Sequence, residues 1–184
     1  MIRANTPRWR NYILGAYSFA YVMCGMACNM VGPTLGDLAR RTRVNPSALG
    51  VVFLASIGGT LSVVPTGKLM DRVPGHALLA VAYVLMGLFF ACIPTFTHTV
   101  EALVVYRGLA DVFVAGAVTA TNMTMEMAFG SRSRRYQFGM NLICGFWGVG
   151  SVLSPVAARM AHHAFGARLD GFSVAAGGLV LSFP

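Results

Sequence analysis

Apolar positions fall into six uninterrupted runs, at about 12–33, 47–67, 77–97, 101–125, 138–160 and 171–184, parted by short segments that hold nearly every charge. Roughly 20 apolar residues in a row are what an α-helix needs to cross the ~30 Å hydrocarbon core of a bilayer. The runs are continuous, whereas a membrane β-barrel alternates polar and apolar residues over segments of about ten. The pattern therefore predicts an all-α membrane protein, with five to six transmembrane helices forming one bundle over residues 1–184. The last run reaches only about 21 Å at 1.5 Å per residue, so the sixth helix is expected to be short or truncated.

Composition narrows this further. The 184 residues are 56% hydrophobic and 11% charged, with a mean hydropathy of +0.65. Soluble domains carry about 25% charged residues, so a water-soluble domain is excluded. Six spans of roughly 20 residues fit the length and twelve do not. The net charge of +8 comes from dispersed arginines and the single Lys68 rather than one basic tract, so nucleic acid is not an expected partner.

Cys24, Cys28, Cys92 and Cys144 lie inside apolar runs, without zinc-ligand spacing or a disulfide framework. His162 and His163 lack a third ligand nearby. No hydrolase elbow or phosphate-cradling loop occurs. An enzyme, a cofactor and a bound metal are accordingly not expected. The flank Met1 to Arg10 suits an organelle import signal as well as a cytosolic membrane flank. With the N-terminus on the cytoplasmic or matrix side, eight inner basic residues face five outer ones, Arg40, Arg41 and Arg43 of the first outer loop among the latter. The expected location is a plasma or organelle membrane, the mitochondrial inner membrane included.

Polar residues within the runs are the candidate chemistry. At about 100° per residue, with Arg107 at zero, Asp111 falls near 40°, Asn122 near 60° and Glu126 near 100°. One stripe of the fourth span is thus polar, and ionisable groups at bilayer depth face a bundle interior or a watery path. Asp111 reads equally as an ion or substrate residue and as the structural partner of Arg107, one helical turn earlier. In the fifth span Gln137, Asn141, Gly145, Gly148 and Pro155 share a face. Gly150 and Ser154 form a pair of small residues that lets helices approach closely. Asn29 is the lone amide of the first run and should seek a partner across the bundle.

Between the second and third runs lies Gly67-Lys68-Leu69-Met70-Asp71-Arg72-Val73-Pro74-Gly75-His76. This segment resembles the loop signature of the major facilitator superfamily, a glycine, three residues, then Asp-Arg and a further glycine, with Pro74 delaying that glycine and His76 in place of a strong base. Here Gly67 is expected to permit close helix approach, Asp71 to satisfy helix N-terminal amides and Arg72 to bind a carboxylate. Arg107 and Gly108 opening the fourth span, Glu126, Arg132, Arg134 and Arg135 closing it, and the glycine-and-proline fifth span are similar to the same family, over roughly residues 12–165. The resemblance implies half of that family's fold and a conformational latch drawn from Gly67, Asp71, Arg72, Gly75, Arg107, Glu126 and Arg134.

Within the family, the run from Gly32 to Ala39 followed by Gly50, Asp71 to His76, Asp111, Asn122 and Gln137 looks most like the sodium-dependent glucose transporter-like branch related to fucose permeases. That implies a sugar-like small molecule as substrate, with ion or proton coupling. Such carriers consist of two six-helix halves with substrate at the midplane between them. One half leaves its polar face open, so a second transporter half or other membrane subunits are expected to cover it. Two functions follow. The chain is a solute carrier whose route is lined by Asn29, Asp111, Asn122, Gln137 and Asn141. Alternatively it is a transport-inactive structural subunit of a larger membrane complex, an organellar one included.

Overall fold

The computed structural model describes residues 7–165, and the run expected at 171–184 lies outside them. Among the described residues every regular element is helical: α1 (Pro7–Asn29), α2 (Val31–Thr42), a 3-10 turn (Pro46–Gly50), α3 (Val51–Leu61), α4 (Val63–Met70), α5 (Gly75–Phe96), α6 (Val100–Phe129) and α7 (Arg134–Phe165). These join into five rods long and apolar enough to cross a membrane: Trp9–Thr42, Pro46–Met70, Gly75–Phe96, Val100–Phe129 and Arg134–Ala164. The chain is an all-α, multi-pass membrane protein.

Two rods are broken and share one device. The first is interrupted at Met30 and the second at Ser62, and in each a proline, Pro33 or Pro65, stands three residues beyond the break. A proline in the first turn of a helix forfeits only an N–H that would be unpaired there. The chain therefore continues as helix through Gly32-Pro33, where the hydropathy pattern ends the first span. Arg40 and Arg41 consequently sit in the last turn of α2 rather than in a loop, close to its negative dipole end. Arg43, left-handed with φ 58°, terminates that helix.

The short connections alternate between the two ends of the bundle. The N-terminus of α1, the α4–α5 turn and the α6–α7 turn share one end; the segment after α2 and the α5–α6 turn share the other. Laterally, α1 packs chiefly on α7, while α6 is held between α3 and α5. Tyr17, Tyr83, Phe90, Leu79, Leu103 and Met125 are among the fully buried side chains. Phe53, Leu54, Leu61, Val64, Val152 and Val156 are exposed on α3, α4 and α7, as suits surfaces turned toward acyl chains or another apolar body.

Glycine sets the two closest helix crossings. A Cβ on Gly25 would collide with the Trp147 carbonyl of α7, and one on Gly150 with the Val22 carbonyl of α1. On the other side, a Cβ on Gly59 of α3 would lie 2.6 Å from the Asp111 carbonyl oxygen of α6. Small residues allow such backbone approach within a membrane. Ser154 is fully buried, with its hydroxyl 3.8 Å from Met30 Sδ, whereas Gly145 and Gly148 have open space around them.

Candidate functional site

The strongest concentration of charge inside the bundle is on α6. Arg107 and Asp111 are one turn apart, so their side chains lie on the same face. They are 7% and 6% exposed. Arg107 Nε donates to Asp111 Oδ2 at 2.8 Å. Asp111 is about 16 Å along the helix from Val100, too deep for water to pay the cost of a lone charge.

Neighbouring helices complete the pair's hydrogen bonding. Ser56 of α3 donates its hydroxyl to Asp111 Oδ2 at 2.5 Å. Arg107 Nη1 donates to the Cys28 carbonyl of α1 at 2.9 Å, and the guanidinium lies 5.5 Å from the Phe90 ring centroid of α5. One ion pair thus touches α1, α3 and α5 from α6. Ser62, at the break between α3 and α4, donates to the Val112 carbonyl at 3.0 Å and further fixes α3 against α6.

Asn29 finds the cross-bundle partner its position calls for. Its Nδ2 donates to Ser151 Oγ of α7 at 2.8 Å and to the Gly25 carbonyl at 2.8 Å. It lies beside Cys28, whose carbonyl receives Arg107, so the amide and the ion pair meet along one stretch of α1.

The remaining candidates are dispersed. Asn122 is half-buried, with its Oδ1 buried and unpaired among the described residues. Gln137 and Asn141 are exposed on α7. Glu126 is exposed at the other end of α6, about 28 Å from Arg107 along the axis. Asp71 caps the C-terminus of α4 and is exposed with Arg72; a helix C-terminus presents carbonyls, so Asp71 meets no N-terminal amides of α4. Gly67 stands in open space, contrary to its expected close approach. It is Gly75 whose Cβ would come within 2.9 Å of Thr124 Oγ1 and 3.0 Å of Met70 Cε. Among the described residues neither Asp71, Arg72, Glu126 nor Arg134 forms an ion pair.

A second polar seam has no forerunner in the sequence reading. At the meeting of α1, α5 and α6, the Tyr21 and Tyr83 hydroxyls share Thr121 as a neighbour. All three oxygens are buried without a well-formed hydrogen bond among the described residues. One turn toward the α4–α5 turn, the Tyr17 hydroxyl and His76 Nδ1 are 3.1 Å apart. Among the described residues no group of three His, Cys, Asp or Glu side chains is placed to hold a metal.

A family model described as Major Facilitator Superfamily matches residues 17–184. Over 143 residues the chain is 25% identical to a mouse (Mus musculus) protein named sodium-dependent glucose transporter 1A, an overlap covering 77% of this chain and 33% of the relative. The chain therefore spans about one third of the length of that relative.

Proposed function

The chain belongs to the major facilitator superfamily, and from that premise we propose that it forms one half of a solute carrier, taking a sugar-like molecule across the membrane by alternating access when a second half covers its open face. The observation that carries this reading is the Arg107–Asp111 pair, buried at bilayer depth and braced by three other helices. Intramembrane ion pairs of this kind mark substrate and ion routes. Asn29, on the stretch of α1 that receives Arg107, supplies a hydroxyl-binding group beside the pair, and Asn122, Gln137 and Asn141 are proposed to line the route further toward the other end of the bundle. The similarity to the mouse protein supports a sugar over other solutes.

The residues Gly67, Asp71, Arg72, Gly75, Glu126 and Arg134 cluster about the turns of one bundle end, where a latch between halves would act. The N-terminus is assigned to the cytoplasmic or matrix side.

One observation favours a second reading, a transport-inactive structural subunit. Asp111 is satisfied by Arg107 and Ser56 within the bundle, as a purely architectural pair would be. Mild detergent purification, with the mass of every retained chain determined and hexose flux measured in liposomes, separates the two. Flux from the chain, alone or with a second transporter half, supports the carrier. A stable assembly with other chains and no flux supports the subunit and removes the carrier.

A further inference from the structure

Two clefts adjoin where the start of α1 meets the α6–α7 turn. The first, of about 410 Å³, is lined by Arg10, Arg134 and Arg135 together with Leu14, Phe129 and Phe138. The second, of about 380 Å³, shares Asn11 and Leu14 with the first and continues between α1 and α7 past Phe19, Val22, Leu142 and Phe146. Its α1 wall, Asn11 to Val22, is about 16 Å long, the depth of one leaflet of a ~30 Å hydrocarbon core. A cationic mouth thus opens into an apolar groove one leaflet deep.

The mouth is chemically incomplete. Arg134 and Arg135 occupy the first two positions of the 32-residue α7, whose first turn contains no acid. A helix N-terminus is the positive end of the dipole and disfavours cations. No lining residue of either cleft is acidic, and among the described residues neither arginine forms an ion pair. An anion bound there would relieve both the dipole and the mutual repulsion. Inside the groove, Ser18 is 5% exposed and its hydroxyl has no hydrogen-bond partner among the described residues. Ser18 thus leaves an unsatisfied hydroxyl in the wall of an apolar slot.

We propose that the joined clefts bind an anionic glycerophospholipid from the leaflet in which α1 begins, with its phosphate on Arg134 and Arg135 beside Arg10, one acyl chain between α1 and α7, and an ester carbonyl accepting from Ser18. The lipid clamps α1 to the α6–α7 hairpin at the end opposite the Arg107–Asp111 pair, whatever solute the bundle handles. Basic pockets between transmembrane helices suit anionic headgroups, at about 1 kcal/mol per arginine.

The test titrates the purified chain in detergent with phosphatidylglycerol, phosphatidylcholine or inorganic phosphate and follows the thermal midpoint. Phosphatidylglycerol is expected to raise it and the other two to leave it unchanged. Arg134→Gln with Arg135→Gln should weaken the apparent affinity for phosphatidylglycerol by about thirtyfold. Arg134→Lys with Arg135→Lys should retain most of it, and Arg132→Gln, outside the cleft, should weaken it by no more than about fivefold on the same charge arithmetic. Phosphatidylglycerol carrying a photoreactive acyl chain should label residues 11–22 or 138–146. Equal stabilisation by phosphatidylcholine, full retention in the double glutamine variant, or a shift reproduced by inorganic phosphate would each overturn the proposal. So would a groove that cross-links to another protein chain and takes no lipid label.

Discussion

Gly59 on α3 lies against the backbone of Asp111 on α6, with room for no side chain: a Cβ there would stand 2.6 Å from the Asp111 carbonyl oxygen. The same approach brings Ser56, nearly one turn earlier on α3, within 2.5 Å of the Asp111 carboxylate. Helix packing and the polar centre are therefore one construction, since the glycine contact sets the distance at which the serine reaches the acid.

Replacing Gly59 with valine forces α3 away from α6. Overpacking of this kind costs about 1–3 kcal/mol and also breaks the Ser56 bond. Thermal unfolding in detergent should show a clear drop for Gly59→Val. A wild-type midpoint in that variant would mean that the α3–α6 crossing is looser than described.

The glycines of α7 should divide by position. Gly150→Val is expected to destabilise, because Gly150 abuts the Val22 backbone, while Gly145→Ala and Gly148→Ala, with open space around them, should be neutral or slightly stabilising through reduced freedom of the unfolded chain. Comparing the three midpoints checks this; equal losses at all three would contradict it.

Breaking the buried ion pair from one side should cost more than removing it whole. Arg107→Met leaves Asp111 charged and held only by Ser56, a change worth about 3–5 kcal/mol in comparable buried pairs. Adding Asp111→Leu should restore most of that loss. A double variant no more stable than Arg107→Met would show that the pair is not a self-contained unit.

Tyr83 offers an opposite test. Its hydroxyl is buried without a well-formed bond, so Tyr83→Phe should leave stability within about 0.5 kcal/mol of wild type or raise it, since deleting an unsatisfied polar group loses little. A loss of more than about 1 kcal/mol would mean the hydroxyl is bonded after all.

The rods were legible in the sequence because bilayer insertion imposes length and apolarity on each segment separately. The Arg107–Asp111 pair was legible for a similar reason, as four-residue spacing on a helix fixes contact without any tertiary knowledge. Ser56, the Cys28 carbonyl and the Tyr21–Tyr83–Thr121 seam were not, because each depends on how helices distant in sequence dock. The first rod outruns its apolar run for a local reason: the more polar segment after Met30 stays helical, because a proline just after a break is harmless. The close approach expected at Gly67 is found at Gly75 instead. Either glycine permits close approach, and only the docking of the α4–α5 turn on α6 decides that Gly75 meets Thr124.

Sodium-gradient-driven uptake of labelled hexose, compared between membranes in which the wild-type chain or Asp111→Asn is co-expressed with a second transporter half, at matched expression and matched thermal midpoint, tests the central claim most directly. The carrier reading predicts uptake above empty membranes that falls at least tenfold in the variant. Uptake indistinguishable between wild type, variant and empty membranes, with the bundle folded in both proteins, would contradict it.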